Sequence, residues 1–236
     1  MSGHSHFATI KRQKETKDAA KGNLFGKLSK MISIAIKAGG GPNPDTNFKL
    51  RVAIDKARSS NMPKENIDRI LKNALDKMDS LEEIRYEGFG PYGLGVLVDV
   101  ATDNKNRTAQ EMKSIFEKAG GQIAGPGAVS YNFDELGYFQ IEKQTEVETQ
   151  ILTLIDLGAD DVEESDNGID VYMHTDKMRD FRNSLEASGF KILKMEVIMR
   201  PKNYIEDLNE EQINKITAFL ENLEDHDDVQ RVFSNF

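Results

Sequence analysis

Lys14, Lys17 and Lys21 stand at i, i+3 and i+7, so a helix through them lines three ammonium groups along one face. Lys11 and Arg12 precede them. Lys27, Lys30 and Lys37 follow and share one side of the next helical stretch. From Gly3 to Lys30 the chain carries seven Lys or Arg against two acids, Glu15 and Asp18. Cations held on helical faces neutralise phosphates and release counterions, which gives affinity with little choice of sequence. Arg107 is a further candidate phosphate ligand. It lies in Thr102-Asp103-Asn104-Lys105-Asn106-Arg107-Thr108, which links a strand end to a helix start, where turn and cap chemistry would equally explain it.

The body behind these cations has the opposite charge. Residues 1–77 hold 16 Lys and Arg against 7 acids, a net +9, and residues 78–236 hold 15 against 33, a net −18. Such segregation points to a basic part that meets a polyanion and an acidic part with another task. The implied partner is nucleic acid. Cysteine is absent, which leaves no disulfide or thiolate metal site and fits a reducing cytoplasm. No apolar run approaches the ~20 residues that span a bilayer, and the N-terminus lacks a signal-peptide core, so no membrane partner is expected.

Other chemistry finds little support. Gly88-Phe89-Gly90-Pro91-Tyr92-Gly93 matches G-x-G-x-x-G, but a strand follows where a dinucleotide site needs a helix N-terminus, and Pro91 removes an amide. The glycines read as a turn or bulge. Ser2-Gly3-His4 could hold Cu(II) or Ni(II) only at a free, trimmed N-terminus, and a loose tail is the simpler reading. The histidines (His4, His6, His174, His226) are scattered. His226 lies in Glu224-Asp225-His226-Asp227-Asp228, a sequence for a metal or for an acidic turn, and the turn is preferred. An enzyme would need convergent polar groups such as Asp99, Asp103 and Arg107. The chain therefore reads as non-enzymatic, with no cofactor and no metal.

The elements that position the cations are helical. Residues 8–21 are helix-tolerant, Gly22-Asn23 predicts a break, and residues 24–37 form an amphipathic helix ended by Gly39-Gly40-Gly41. Asp45, Thr46 or Asn47 caps a second helix with Leu50, Ala53, Ile54 and Ala57 inward, and Asn61-Met62-Pro63 opens a third. Strands follow at 84–90 and 94–101. A capping box at Thr108–Glu111 introduces the next helix. Residues 136–203 have the order βαββαβ, with Val147, Ile151, Leu154 and Ile155 inward on the first of its helices. Around it, strand 94–101, helix 109–119, strands 122–124 and 129–133, helix 209–223 and strand 229–233 give the same order again. The expected fold class is thus α+β: an N-terminal helical domain, then two ferredoxin-like βαββαβ units, one inserted in the other. The expected domains are 1–79, 80–135 plus 204–236, and 136–203. Neither sheet shows a paired aromatic signature for stacking bases.

Several pieces of this chain resemble the YebC family, which includes bacterial proteins described as transcriptional regulators and mitochondrial translational activators. They are Gly3-His4-Ser5, the basic stretch 10–30, Gly39-Gly40-Gly41, Ala53-Ile54-Asp55-Lys56-Ala57, Asn61-Met62-Pro63, Tyr86-Glu87-Gly88 and Thr102–Thr108. The resemblance spans nearly the full length. It implies three domains, no enzymatic activity, and binding to DNA or to the translation machinery. Lys11, Lys14, Lys21, Lys27 and Lys30 fall where the family is basic. His6-Phe7 stands where Lys-Trp is usual, and Gln13 and Asn23 replace common basic residues.

Overall fold

The computed structural model describes residues 18–77 and 81–236, with residues 18–21 and 74–77 described by their backbone alone. These residues fall into two compact units. One is residues 134–200. The other comprises the described residues up to Phe133 together with Pro201–Phe236.

The larger unit begins with three helices, α1 (Asp18–Ala38), α2 (Phe48–Ser59) and α3 (Lys64–Lys77). The break expected at Gly22-Asn23 does not occur, and α1 runs through both residues. A glycine inside a helix costs ~1 kcal/mol. Against that, Leu28, Ile32, Ala35 and Ile36 of the same helix are buried against Leu50, Ala53, Ile54 and Ala57 of α2 and Ile67 of α3. Among the capping alternatives the structure selects Asn47. Its Oδ1 accepts from Leu50 N at 3.0 Å, while its Nδ2 donates to the carbonyls of Ala35 and Gly41 at 2.8 and 3.0 Å. One buried amide thus starts α2 and closes α1. Gly39 makes this possible, since a Cβ there would lie 2.0 Å from Asn47 Oδ1.

The rest of the larger unit is a four-stranded sheet under two helices. It contains β1 (Glu82–Phe89), β2 (Gly95–Thr102), α4 (Lys105–Lys118), β3 (Gln122–Ala124), α7 (Glu210–Asp225) and β8 (Val229–Ser234), with strand order β3-β1-β2-β8. Residues 130–132 form a 3-10 turn, not the strand expected at 129–133. The strand between β2 and β3 is β1, which pairs antiparallel with both. The spatial arrangement is therefore the ferredoxin-like one, but its third strand is supplied from upstream as half of the β1–β2 hairpin. Val96, Val98 and Val100 of β2 meet Met112 and Phe116 of α4 and Ile216, Phe219, Leu220 and Leu223 of α7. Gly88 fits under this layer, because a Cβ there would lie 2.6 Å from the Phe116 ring. Close packing thus accounts for Gly88, and Gly93, at φ 78° with open space around it, ends the 3-10 turn Pro91–Gly93.

Helix α4 also starts earlier than its sequence suggests. Asn104 is the N-cap, accepting from Arg107 N at 3.1 Å, and Thr108 lies within the helix with its hydroxyl engaged elsewhere. Glu87 turns to the other side of the sheet and is buried. Its carboxylate accepts from the backbone N–H groups of Gly127, Val129 and Ser130 at 2.8–2.9 Å, and so fixes the loop after β3.

The smaller unit follows the expected βαββαβ order: β4 (Phe133–Ile141), α5 (Val147–Asp156), β5 (Asp161–Ser165), β6 (Gly168–Met173), α6 (Met178–Ala187) and β7 (Ile192–Pro201). Its strand order, β5-β6-β4-β7, is ferredoxin-like. On α5, Leu154 is buried, but Ile155, expected inward, is 49% exposed. Among the described residues no helix is long and apolar enough to cross a membrane.

Candidate nucleic-acid interface

Helix α7 ends at Asp225, and the last carbonyls of a helix lack intrahelical partners and carry the negative end of its dipole. Side chains of α1 meet them. Lys27 Nζ donates to the carbonyl of Glu224, and Asn23 Nδ2 donates to that of Asp225 at 3.2 Å. Lys30 Nζ reaches the Asp227 carbonyl at 3.2 Å and Asp228 Oδ1 at 2.6 Å. Asn23 thus does the work of a C-terminal cap.

Asp228 gathers the remaining contacts. It is 3% exposed, at the foot of β8. Its Oδ2 accepts from Arg107 at 2.9 Å and from the Thr108 hydroxyl at 2.7 Å, and that hydroxyl lies 2.8 Å from the hydroxyl of Thr102. The Asp228 carbonyl accepts from Ala101 N at 2.7 Å, which ties the turn to β2. Burial alone would raise the Asp228 pKa. The hydrogen bonds from Lys30, Thr108 and Arg107 outweigh it and hold the carboxyl well below the ordinary range. The same hydrogen bond to Asp228, joined by Asp103, raises the pKa of Arg107. His226 completes the group: its Nδ1 accepts from Asp228 N at 3.1 Å, so Nε2 carries the proton toward Glu111 Oε2, 3.0 Å away.

These residues border a cleft of about 800 Å³, whose lining includes Lys30, Arg107, Lys118 and His226. Five carboxylates line it against three permanent cations, so its charge suits no polyanion. No cluster of His, Cys, Asp and Glu suited to a metal ion occurs among the described residues. Asp99, weighed with Asp103 and Arg107 as an enzyme's polar set, instead bridges Arg85 at 2.6 Å and Arg231 at 3.0 Å.

The nine predicted phosphate ligands therefore divide. Lys11, Arg12, Lys14 and Lys17 lie outside the described residues, and Lys21 lies in α1 with only its backbone described. Lys27, Lys30 and Arg107 are brought together, on the turn at 224–228. Lys37 is exposed at the end of α1, with Nζ 3.2 Å from the Leu81 carbonyl. A second set was not singled out from the sequence. Lys49 and Arg58 of α2, with Lys64, Arg69 and Lys72 of α3, are exposed. Of these, Lys49, Lys64 and Lys72 have no ion pair among the described residues. The only signal for them was the stripe itself: the buried positions of α2 and α3 leave these cations on the far side.

Fold and site together define an α+β protein whose basic helical part is fastened to its first sheet and α7 at the buried Asp228 carboxylate and the carbonyls beside it. Residues 5–77 match the TACO1/YebC protein N-terminal domain and residues 81–236 match the TACO1/YebC second and third domain, so the chain belongs to the TACO1/YebC family. It is 44% identical to a "Probable transcriptional regulatory protein" of Dictyoglomus turgidum, over all of this chain and 96% of the relative. It is 41% identical to one of Lactiplantibacillus plantarum, over 99% of this chain and 97% of the relative. The crystal structure of a conserved hypothetical protein from Aquifex aeolicus superposes with a TM-score of 0.87 at 37% identity, covering 98% of this chain and 96% of that one.

Proposed function

We propose that this protein is a non-enzymatic, nucleic-acid-binding regulator of gene expression, in keeping with the names of its relatives. The helical domain, residues 1–79, makes the contact. The observation that carries this reading is the outward set of cations on α2 and α3 in a segment of net +9, joined by Lys11, Arg12, Lys14, Lys17 and Lys21. Lys27, Lys30 and Arg107 take a different part: they hold the helical domain on the acidic sheet domain. The contact is to phosphates, because the outward set is mostly lysine, which acts as a point charge and not as a bidentate reader of base edges.

Duplex DNA is the first target, as in a transcriptional regulator. The second is ribosomal RNA, as in a translation factor. It is favoured by the spread of the cations over two helices, with no single helix patterned for a major groove. Sedimentation of a cytoplasmic extract at low and high salt tests both. Co-migration with ribosomes that is lost on Lys49→Glu, Lys64→Glu and Lys72→Glu together supports the translation reading. Protein in the soluble fractions that footprints a discrete DNA site supports the transcription reading. Binding of either kind that survives these changes and Lys11→Glu, Lys14→Glu overturns the interface.

A further inference from the structure

The smaller unit has one sheet face under helices and one without. On the helix side, Phe139 and Ile141 of β4 and Val171 and Met173 of β6 are fully buried, and Phe139 meets Phe181 of α6 edge-on at 5.3 Å. On the other side stand Tyr138 and Tyr172. They are directly opposite in the β4–β6 register, half-buried, with ring centroids 5.5 Å apart. These are the two central strands, so an aromatic pair is present after all. Local sequence pattern could not show it, because pairing across strands creates it.

We infer that this open face docks a basic protein segment, whose arginine or lysine side chains seat on Tyr138 and Tyr172 and the carboxylates beside them. The chain already displays the recognition. The Arg200 guanidinium lies 4.3 Å from the Tyr172 centroid, with its nitrogens 2.8 Å from Asp161 and 2.7 Å from Glu163. Lys194 Nζ stands 5.4 Å from the Tyr138 centroid and pairs with Glu196. Ring faces attract cations, and flanking carboxylates add to the attraction. Tyr138 is itself held in place, donating to Asp170 Oδ1 at 2.8 Å beside Gln140 Nε2 at 3.1 Å.

A pair of aromatics on central strands also suits stacked RNA bases. Charge decides between the two. The face carries Asp161, Glu163 and Glu196, with Asp170 buried and engaged by Tyr138 and Gln140, against Arg200 and Lys194, and residues 134–200 hold 16 acids against 7 bases. Phosphates would be repelled there and a cationic segment attracted. The surface uses none of the helical cations.

The test uses the full-length chain with two labelled probes, a short peptide of alternating Arg and Gly and a short single-stranded RNA. Binding is read by fluorescence anisotropy at low salt. The peptide should bind. Tyr172→Leu should weaken it by about fivefold, as expected for one lost ring–cation contact, and Tyr172→Phe should retain it. Arg200→Gln removes the internal guanidinium from Tyr172, Asp161 and Glu163 and should tighten the peptide severalfold. Variants with Lys49, Lys64 and Lys72 changed to Glu should bind it no more weakly than the parent chain, which separates this surface from the nucleic-acid reading. Peptide affinity unchanged in both Tyr172→Leu and Arg200→Gln overturns the proposal, as does RNA binding abolished by Tyr172→Leu. Where Tyr172→Leu does not fold, Arg200→Gln decides: tighter binding supports the surface, and equal or weaker binding overturns it.

Discussion

Lys30 and Lys64 are both helical lysines in the same basic third of the chain, yet their surroundings differ. Lys30 Nζ lies 2.6 Å from a carboxylate that is 4% exposed, and its own side chain is 27% exposed. Lys64 projects into solvent at the start of α3. Moving Lys30 onto a phosphate would leave Asp228 buried with less compensation, a cost that such carboxylates make large. Moving Lys64 costs almost nothing. Net charge therefore shows that a segment is basic without showing which cations are available, and the acidic run at 224–228 has taken up Lys27 and Lys30.

The contrast can be broken most strongly at its centre. Asp228→Ala removes the acceptor shared by Lys30, Arg107 and Thr108 and should lower the unfolding free energy by about 3 kcal/mol, read from urea denaturation. A loss below about 1 kcal/mol would mean that the group is only a surface ion pair. Acid provides the next test. Asp228 and Glu87 both have folded pKa values below their ordinary ones. In each case burial opposes the shift, and hydrogen bonds from Lys30, Thr108 and Arg107, or from the amides of Gly127, Val129 and Ser130, outweigh it. A carboxyl depressed on folding contributes stability that is full above its unfolded pKa and is lost as pH falls through the folded value. Stability should therefore fall below about pH 4, and Asp228→Asn should flatten that fall in urea midpoints taken across pH.

Glu87→Gln sets an NH2 group against backbone donors and should cost about 2 kcal/mol. The same denaturation assay measures it, and nucleic-acid binding should be unchanged. At the outward end of the comparison, Arg58→Gln loses only a 3.8 Å pair with Asp55 and should shift stability by less than about 0.5 kcal/mol. A larger loss would place Arg58 among the structural cations.

Local pattern carried the elements well. The stripe of α2, the hairpin turning after Ser165 and the Asn209 start of α7 are all present in the sequence, because each rests on neighbours within a few residues. Contacts between distant residues were less accessible. The third strand of the first sheet is β1, a choice fixed by pairing and invisible to element order. Gly22 has the local pattern of a break, since propensity does not register the packing of Leu28 and Ile32. In the site, the basic character of residues 1–77 was legible. The capture of Lys27 and Lys30 was not, because their partners Glu224 and Asp228 lie at the far end of the chain and become neighbours only when α7 docks.

The central claim, that outward cations bind nucleic acid while Lys27 and Lys30 of α1 hold the fold, is tested most directly by the salt dependence of binding. Affinity for duplex DNA and for a ribosomal RNA fragment would be measured across salt for the parent chain, for Lys49, Lys64 and Lys72 changed to Gln, and for Lys30→Met. Each phosphate contact contributes about −0.9 to the log–log slope on duplex and about −0.7 on single strands. The triple variant should lose about two to three contacts' worth of slope, and folded Lys30→Met should keep the parent slope. Loss of slope in Lys30→Met with none in the triple variant would contradict the account.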